Sequence, residues 1–136
     1  MRNAVFLDTS YLLALILKKD ARHREALAAV TTYTGRFVTT DLVLVEFANS
    51  LSMPMLRTVV ISAVEKIRSD SATTVISFTP EGFEQALELF KNRHDKSWGL
   101  IDCFSFVVMK EKRIRMALTF DDHFRQAEFE TPLLKD

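Results

Sequence analysis

The sequence predicts an α/β fold built on a mainly parallel sheet, and three observations carry that prediction. Short apolar, β-prone runs alternate with longer stretches of helical periodicity along the whole chain. Isolated acids stand at the ends of those runs, where open parallel sheets bind their ligands. The chain has 136 residues, 48% hydrophobic and 26% charged, which suits one soluble domain (1–136) with a sizeable core. No internal repeat, low-complexity tract or long linker divides it.

The elements follow in order. Ala4 to Leu7 (AVFL) reads as a buried strand. Thr9 or Ser10 can cap a helix over 11–17, which Lys18-Lys19-Asp20 breaks. A second helix, 22–32, carries the apolar stripe Ala26, Leu27, Ala29 and Val30 and stops at Gly35. Arg36 to Thr40 is β-prone. Asp41 can cap a helix over 42–51, limited by Pro54. Leu56, Val59, Val60, Ala63, Val64 and Ile67 lie at helical spacing within 55–68. Residues 73–78 form a strand candidate. Thr79-Pro80-Glu81 then combines a hydroxyl cap, a first-turn proline and a first-turn acid, opening a helix to about Asn92. A further helix spans 100–111, a strand 114–119, a short helix 122–128 and a last short strand 132–134.

Charge and cysteine content narrow the function. Eighteen basic and eighteen acidic residues cancel, so contact with nucleic acid needs a local patch. Cys103 is the one cysteine, which excludes an internal disulfide and a zinc framework and fits a reducing cytoplasm. The apolar N-terminal run is short and holds Asp8, against a signal peptide or membrane span.

Four acids keep unusual company. Asp8 is the one charge in AVFLDTSYLLALIL and follows the first strand. A carboxylate in apolar surroundings is costly unless something holds it. Glu46 sits in LVLVEFA, a helix apolar nearly all round, and is expected to be buried with it or to line a cavity. Asp102 is the sole charge between Lys96 and Lys110, in the first turn of its helix, where free N–H groups favour an anion. Asp121 follows the strand ending at Thr119 and shares one side of an extended segment with it; Asp122 reads as the helix cap beside it. Gathered carboxylates repel and raise one another's pKa unless a cation intervenes. An oxygen-rich set of this kind suits Mg²⁺ or Mn²⁺, ions that orient a phosphate and activate water.

These residues resemble the PIN domain family over essentially the whole chain. The resemblance rests on Asp8-Thr9-Ser10, on the lone Glu46, on Asp102 opening a late apolar helix, and on T-x-D-x-x-F at Thr119, Asp121 and Phe124. The segment LIDCFSFVVMKEKRIRMALTFDDHF is the most specific part, and the chain is most similar to the small bacterial members that include VapBC-type toxins. The resemblance implies a Rossmann-like three-layer sandwich around a central parallel sheet. It implies a metal-dependent endoribonuclease in which Asp8, Glu46, Asp102 and Asp121 gather Mg²⁺ or Mn²⁺. Thr9, Ser10 and Thr119 match positions whose hydroxyls support the acids. A homodimer and a small antitoxin partner are implied as well.

Other features take lesser readings. His23, His94 and His123 have no partner at ligand spacing; His123 reads as a half-exposed helix residue, with a general-base role as the weaker alternative. Trp98 is expected to pack against the start of the Asp102 helix, and Cys103 to be a small buried side chain. Lys18, Lys19 and Arg22, close to Asp8 in sequence, are the candidates for RNA phosphate contact; Lys110, Lys112, Arg113 and Arg115 lie at the far end of the Asp102 helix. Met53, Met55, Leu56, Val59 and Val60 serve either the core or a partner face. Two rivals remain: a non-catalytic PIN-fold module that binds RNA or protein, and an acid-pocket α/β phosphotransfer protein. Asp8-Thr9-Ser10 lacks the second Asp of the phosphatase pattern.

Overall fold

The computed structural model describes residues 3–135. Its elements are β1 (Val5–Leu7), α1 (Thr9–Ile16), α2 (His23–Thr32), β2 (Phe37–Thr40), α3 (Asp41–Ser50), α4 (Arg57–Ser69), β3 (Thr73–Ile76), α5 (Pro80–Asn92), α6 (Leu100–Glu111), β4 (Met116–Leu118) and α7 (Asp122–Gln126). A 3₁₀ turn at Pro54–Leu56 leads into α4. Among the described residues no helix is long and apolar enough to cross a membrane.

The sheet has four parallel strands in the order β3-β2-β1-β4. The strands are short, so each face is covered by only a few side chains. Successive residues of a strand face opposite sides. Phe6 meets the ring of Phe124 at 6.0 Å on the side of α6 and α7. Leu7 lines the opposite side with Tyr11, Phe47 and Ala63, from α1, α3 and α4. Helices therefore cover both faces, and the fully buried Phe6, Phe47, Phe124, Met109 and Ile114 fill the layers between them. Trp98 is buried edge-on against Phe106 at 4.9 Å, as expected for packing at the start of α6. Cys103 is buried.

Local chemistry departs from expectation at the helix starts. Helix α1 begins at Thr9, so the residue before it, Asp8, is the cap, and its carboxylate accepts the Ser10 N–H. Thr40 caps α3 through the Val43 N–H at 3.1 Å. Asp41 instead accepts the Phe78 N–H at 3.0 Å and fixes the chain leaving β3. Asp121, not Asp122, caps α7, accepting the His123 N–H at 2.9 Å. At α5 the expected cap holds: Thr79 accepts the Gly82 N–H at 3.0 Å, with Pro80 at the first position.

Residues 132–134 form no strand. Pro132 has no N–H to give a ladder, and the Leu134 N–H closes a turn onto Thr131 at 3.1 Å. The chain touches the sheet two residues earlier, where Glu130 forms a single parallel bridge with Met116.

Candidate active site

The register of β1 on β4 pairs Leu7 with Leu118. One step further along both strands, Asp8 faces Thr119. The Asp8 N–H donates to the Leu118 carbonyl at 3.2 Å, and the Thr119 hydroxyl donates to Asp8 Oδ2 at 2.8 Å. The Ser10 hydroxyl donates to the same oxygen at 2.7 Å. Each hydroxyl has one proton, and both are spent on Asp8. Their lone pairs accept in turn: Ser10 Oγ takes the Phe120 N–H and Thr119 Oγ1 takes the Asp121 N–H, each at 2.9 Å. This lattice locks the Asp8 rotamer and ties the end of β4 to the start of α1. Among the described residues no side-chain donor reaches Asp8 Oδ1.

Asp8 is 6% exposed. Burial pushes its carboxyl up to about 6; the charge of Asp121 adds to that, while the Ser10 and Thr119 hydrogen bonds oppose it.

Asp102 and Asp121 converge on the imidazole of His123. Its Nδ1 lies 2.8 Å from Asp102 Oδ2 and 3.4 Å from Asp121 Oδ1. One donor atom from each residue lies within 4.8 Å of the others. Asp102 is held by its own helix start, accepting the Gly99 N–H at 3.1 Å. Among the described residues no lysine or arginine pairs with Asp8, Asp102 or Asp121. Carboxylates with no lysine or arginine beside them offer the hard oxygen atoms that a divalent cation takes.

The remaining expectations divide. Ser10 and Thr119 support the acids, whereas the buried Thr9 hydroxyl finds no hydrogen-bond partner among the described residues. Glu46 is half-buried on α3, and both it and Asp8 lie outside the group at ligand distance, which holds Asp102, Asp121 and His123. Helix α3, apolar nearly all round, is not buried all round, since Val45 beside Glu46 is 53% exposed. Arg22 stacks its guanidinium over Phe120 at 5.0 Å, at the rim of the acid site, while Lys18 and Lys19 are exposed. Sequence reasoning read His123 as a half-exposed helix residue, which it is, and gave it no place among the site ligands; its position becomes visible once Asp121 is recognised as the cap of α7. A histidine two residues after a capping acid is turned toward that acid, and this spacing was the available signal. An apolar cavity of about 580 Å³ between α1, α2 and α4 is lined by residues such as Leu12, Tyr33 and Ile67 and holds none of these acids.

Comparison with known proteins identifies the family. The PIN domain family profile matches residues 5–130. The chain is 30% identical over 125 residues to the 23S rRNA-specific endonuclease VapC20 of Mycobacterium tuberculosis, covering 92% of this chain and 95% of that protein. The crystal structure of VapC20, described as a sarcin–ricin loop cleaving toxin, superposes with a TM-score of 0.85 over 92% of this chain and 95% of that one. VapBC2 from Rickettsia felis, solved with a DNA fragment from its promoter, shares the fold at 16% identity, with a TM-score of 0.65 over 96% of this chain and 95% of that chain.

Proposed function

The chain belongs to the PIN domain family, and on that premise we propose that it is a metal-dependent endoribonuclease, the toxin of a toxin–antitoxin pair, formed by one domain over residues 1–136. The observation that carries the reading is the convergence of Asp102 and Asp121 beside the hydroxyl-locked Asp8, with no lysine or arginine paired to them among the described residues. Asp8, Asp102 and Asp121 would hold Mg²⁺ or Mn²⁺, with Glu46 completing the set from α3. A bound divalent ion supplies Lewis-acid stabilisation of the scissile phosphate and a more acidic water.

The chain's own residues do the rest. Ser10 and Thr119 keep Asp8 in one rotamer, so the ion meets a preformed oxygen set. Arg22 stands at the rim, braced on Phe120, where an RNA phosphate can meet a positioned cation; Lys18 and Lys19 extend that edge. Structured 23S rRNA is the substrate class that the similarity to VapC20 favours. The exposed Met53, Met55, Val59 and Ile61 give apolar surface to a second copy or a small antitoxin, and the cytoplasm is the compartment in which such a protein meets ribosomes.

The test is cleavage of an rRNA fragment containing the sarcin–ricin loop by the purified chain in Mn²⁺ or Mg²⁺. Chelation is expected to stop it, and Asp8→Asn or Asp102→Asn to slow it by about 10²–10³-fold, with circular dichroism unchanged. Cleavage by Asp8→Asn at the wild-type rate overturns the reading.

A further inference from the structure

We infer that His123 is a metal ligand, the one nitrogen donor in an otherwise carboxylate site, and that it turns the preference of this protein from Mg²⁺ toward Mn²⁺ and later divalent ions. The inference rests on the metal-dependent reading above and adds to the four acids a residue they do not include.

Geometry carries it. Cis ligands of an octahedral ion, at bonds of about 2.1 Å, stand about 3.0 Å apart. The two separations from His123 Nδ1, 2.8 Å to Asp102 Oδ2 and 3.4 Å to Asp121 Oδ1, bracket that edge. One ligand atom from each of the three residues lies within 4.8 Å of the others, close enough for one cation to draw them together. They are also held from behind. Asp102 Oδ2 accepts the Gly99 N–H at 3.1 Å, and Asp121 Oδ1 accepts the backbone N–H of His123 itself at 2.9 Å. The imidazole and its neighbouring acid therefore issue from the same first turn of α7 and move as a unit. Backbone support of this kind is what orients metal ligands elsewhere. The imidazole is partly shielded, with 27% of its side chain exposed, so a cation can reach it from solvent.

Chemistry gives the consequence. Mg²⁺ takes oxygen ligands and sheds its waters reluctantly, whereas imidazole suits transition ions. Replacing one oxygen by Nδ1 leaves the site able to hold Mg²⁺ but favours Mn²⁺. The ring must be neutral to ligate, with its proton on Nε2.

Electron spin-echo spectroscopy of Mn²⁺ bound to the purified protein tests the contact, beside calorimetric titration with Mn²⁺ and Mg²⁺. The expected wild-type spectrum contains the modulation of a directly bound ¹⁴N. His123→Asn, whose amide oxygen reaches the position of Nδ1, is expected to lose it. The same variant should weaken Mn²⁺ about tenfold and Mg²⁺ less than about threefold. Bound Mn²⁺ without nitrogen modulation overturns the inference and leaves the nuclease reading standing. Tighter Mn²⁺ binding by His123→Ala also overturns it, because the ring would then be occupying the site. No Mn²⁺ binding by the wild type overturns the metal-dependent reading itself.

Discussion

At the scale of the residue, Asp8 concentrates the chemistry. Its carboxyl is pushed up to about 6, mainly by burial and secondarily by Asp121, against an ordinary value near 3.8. Between those values the folded chain binds the proton more tightly than the unfolded chain. Stability therefore falls as pH rises from about 4 to 6, and above that the ionised Asp8 costs about 3 kcal/mol. Asp8→Asn removes the charge and keeps an oxygen for Ser10 and Thr119. In chelator at pH 7.5 the variant is expected to melt above the wild type, with the advantage shrinking toward pH 4. An equal gain at both pH values would show that ionisation is not its source. That Asp8 matters was legible from the sequence, because a lone acid in an apolar run needs an explanation. That its supports are Ser10 and Thr119 but not Thr9 was not, since only the start of α1 decides which hydroxyl turns toward the acid.

Among the elements, α6 decides where Asp102 stands, and α6 is positioned by α5. The two helices meet at Gly82, where a Cβ would lie 2.8 Å from the Phe104 ring. Phe104 is itself buried and stacked edge-on against Phe78 at 4.8 Å, so it has little room to yield. Gly82→Ala gains helix propensity but forces the ring aside, for a net loss of about 1–2 kcal/mol in urea unfolding. A displaced α6 also moves Asp102 relative to His123, so weaker Mn²⁺ binding is expected to accompany the loss. An unchanged urea midpoint would mean that the helices separate freely. Element order and type were readable from apolar spacing except for the strand expected at 132–134, and the start of α5 was readable from Thr79-Pro80. The other caps were misplaced by one or two residues because Asp, Ser and Thr adjoin one another at Asp8-Thr9-Ser10, Thr40-Asp41 and Asp121-Asp122. Pattern alone cannot choose within such a run; the strand register and the tertiary partner of each acid do. Asp41 is the clearest case, drawn from capping to the Phe78 N–H 37 residues away.

For the whole molecule, the strand order places the site. Chain connections leave β1 toward β2 on one side, and β4 returns on the other, so the carboxyl ends of β1 and β4 bound a topological switch point. Asp8 follows the first strand and Asp121 the last. The Thr119–Asp8 bond closes a separation of 111 residues. A parallel sheet was legible from the alternation of runs, but convergence was not, because spacing in sequence says nothing of which strands become neighbours. One consequence can be measured. A cation held by Asp8, Asp102 and Asp121 cross-links the two ends of the fold and exists only in the native state, so binding must appear as global stability. At a free Mn²⁺ concentration of 100 Kd the gain is about 2.7 kcal/mol, or roughly 8–10 °C in Tm for a chain of this size. The shift is expected to be smaller at pH 5 than at pH 7.5, because the proton on Asp8 competes with the ion. Differential scanning calorimetry with Mn²⁺ and then excess chelator follows it directly. A Tm that ignores Mn²⁺ while the acids remain intact would mean that they do not share a cation. Reversal of the shift by chelator, and its loss in Asp102→Asn, would tie it to the switch point between β1 and β4.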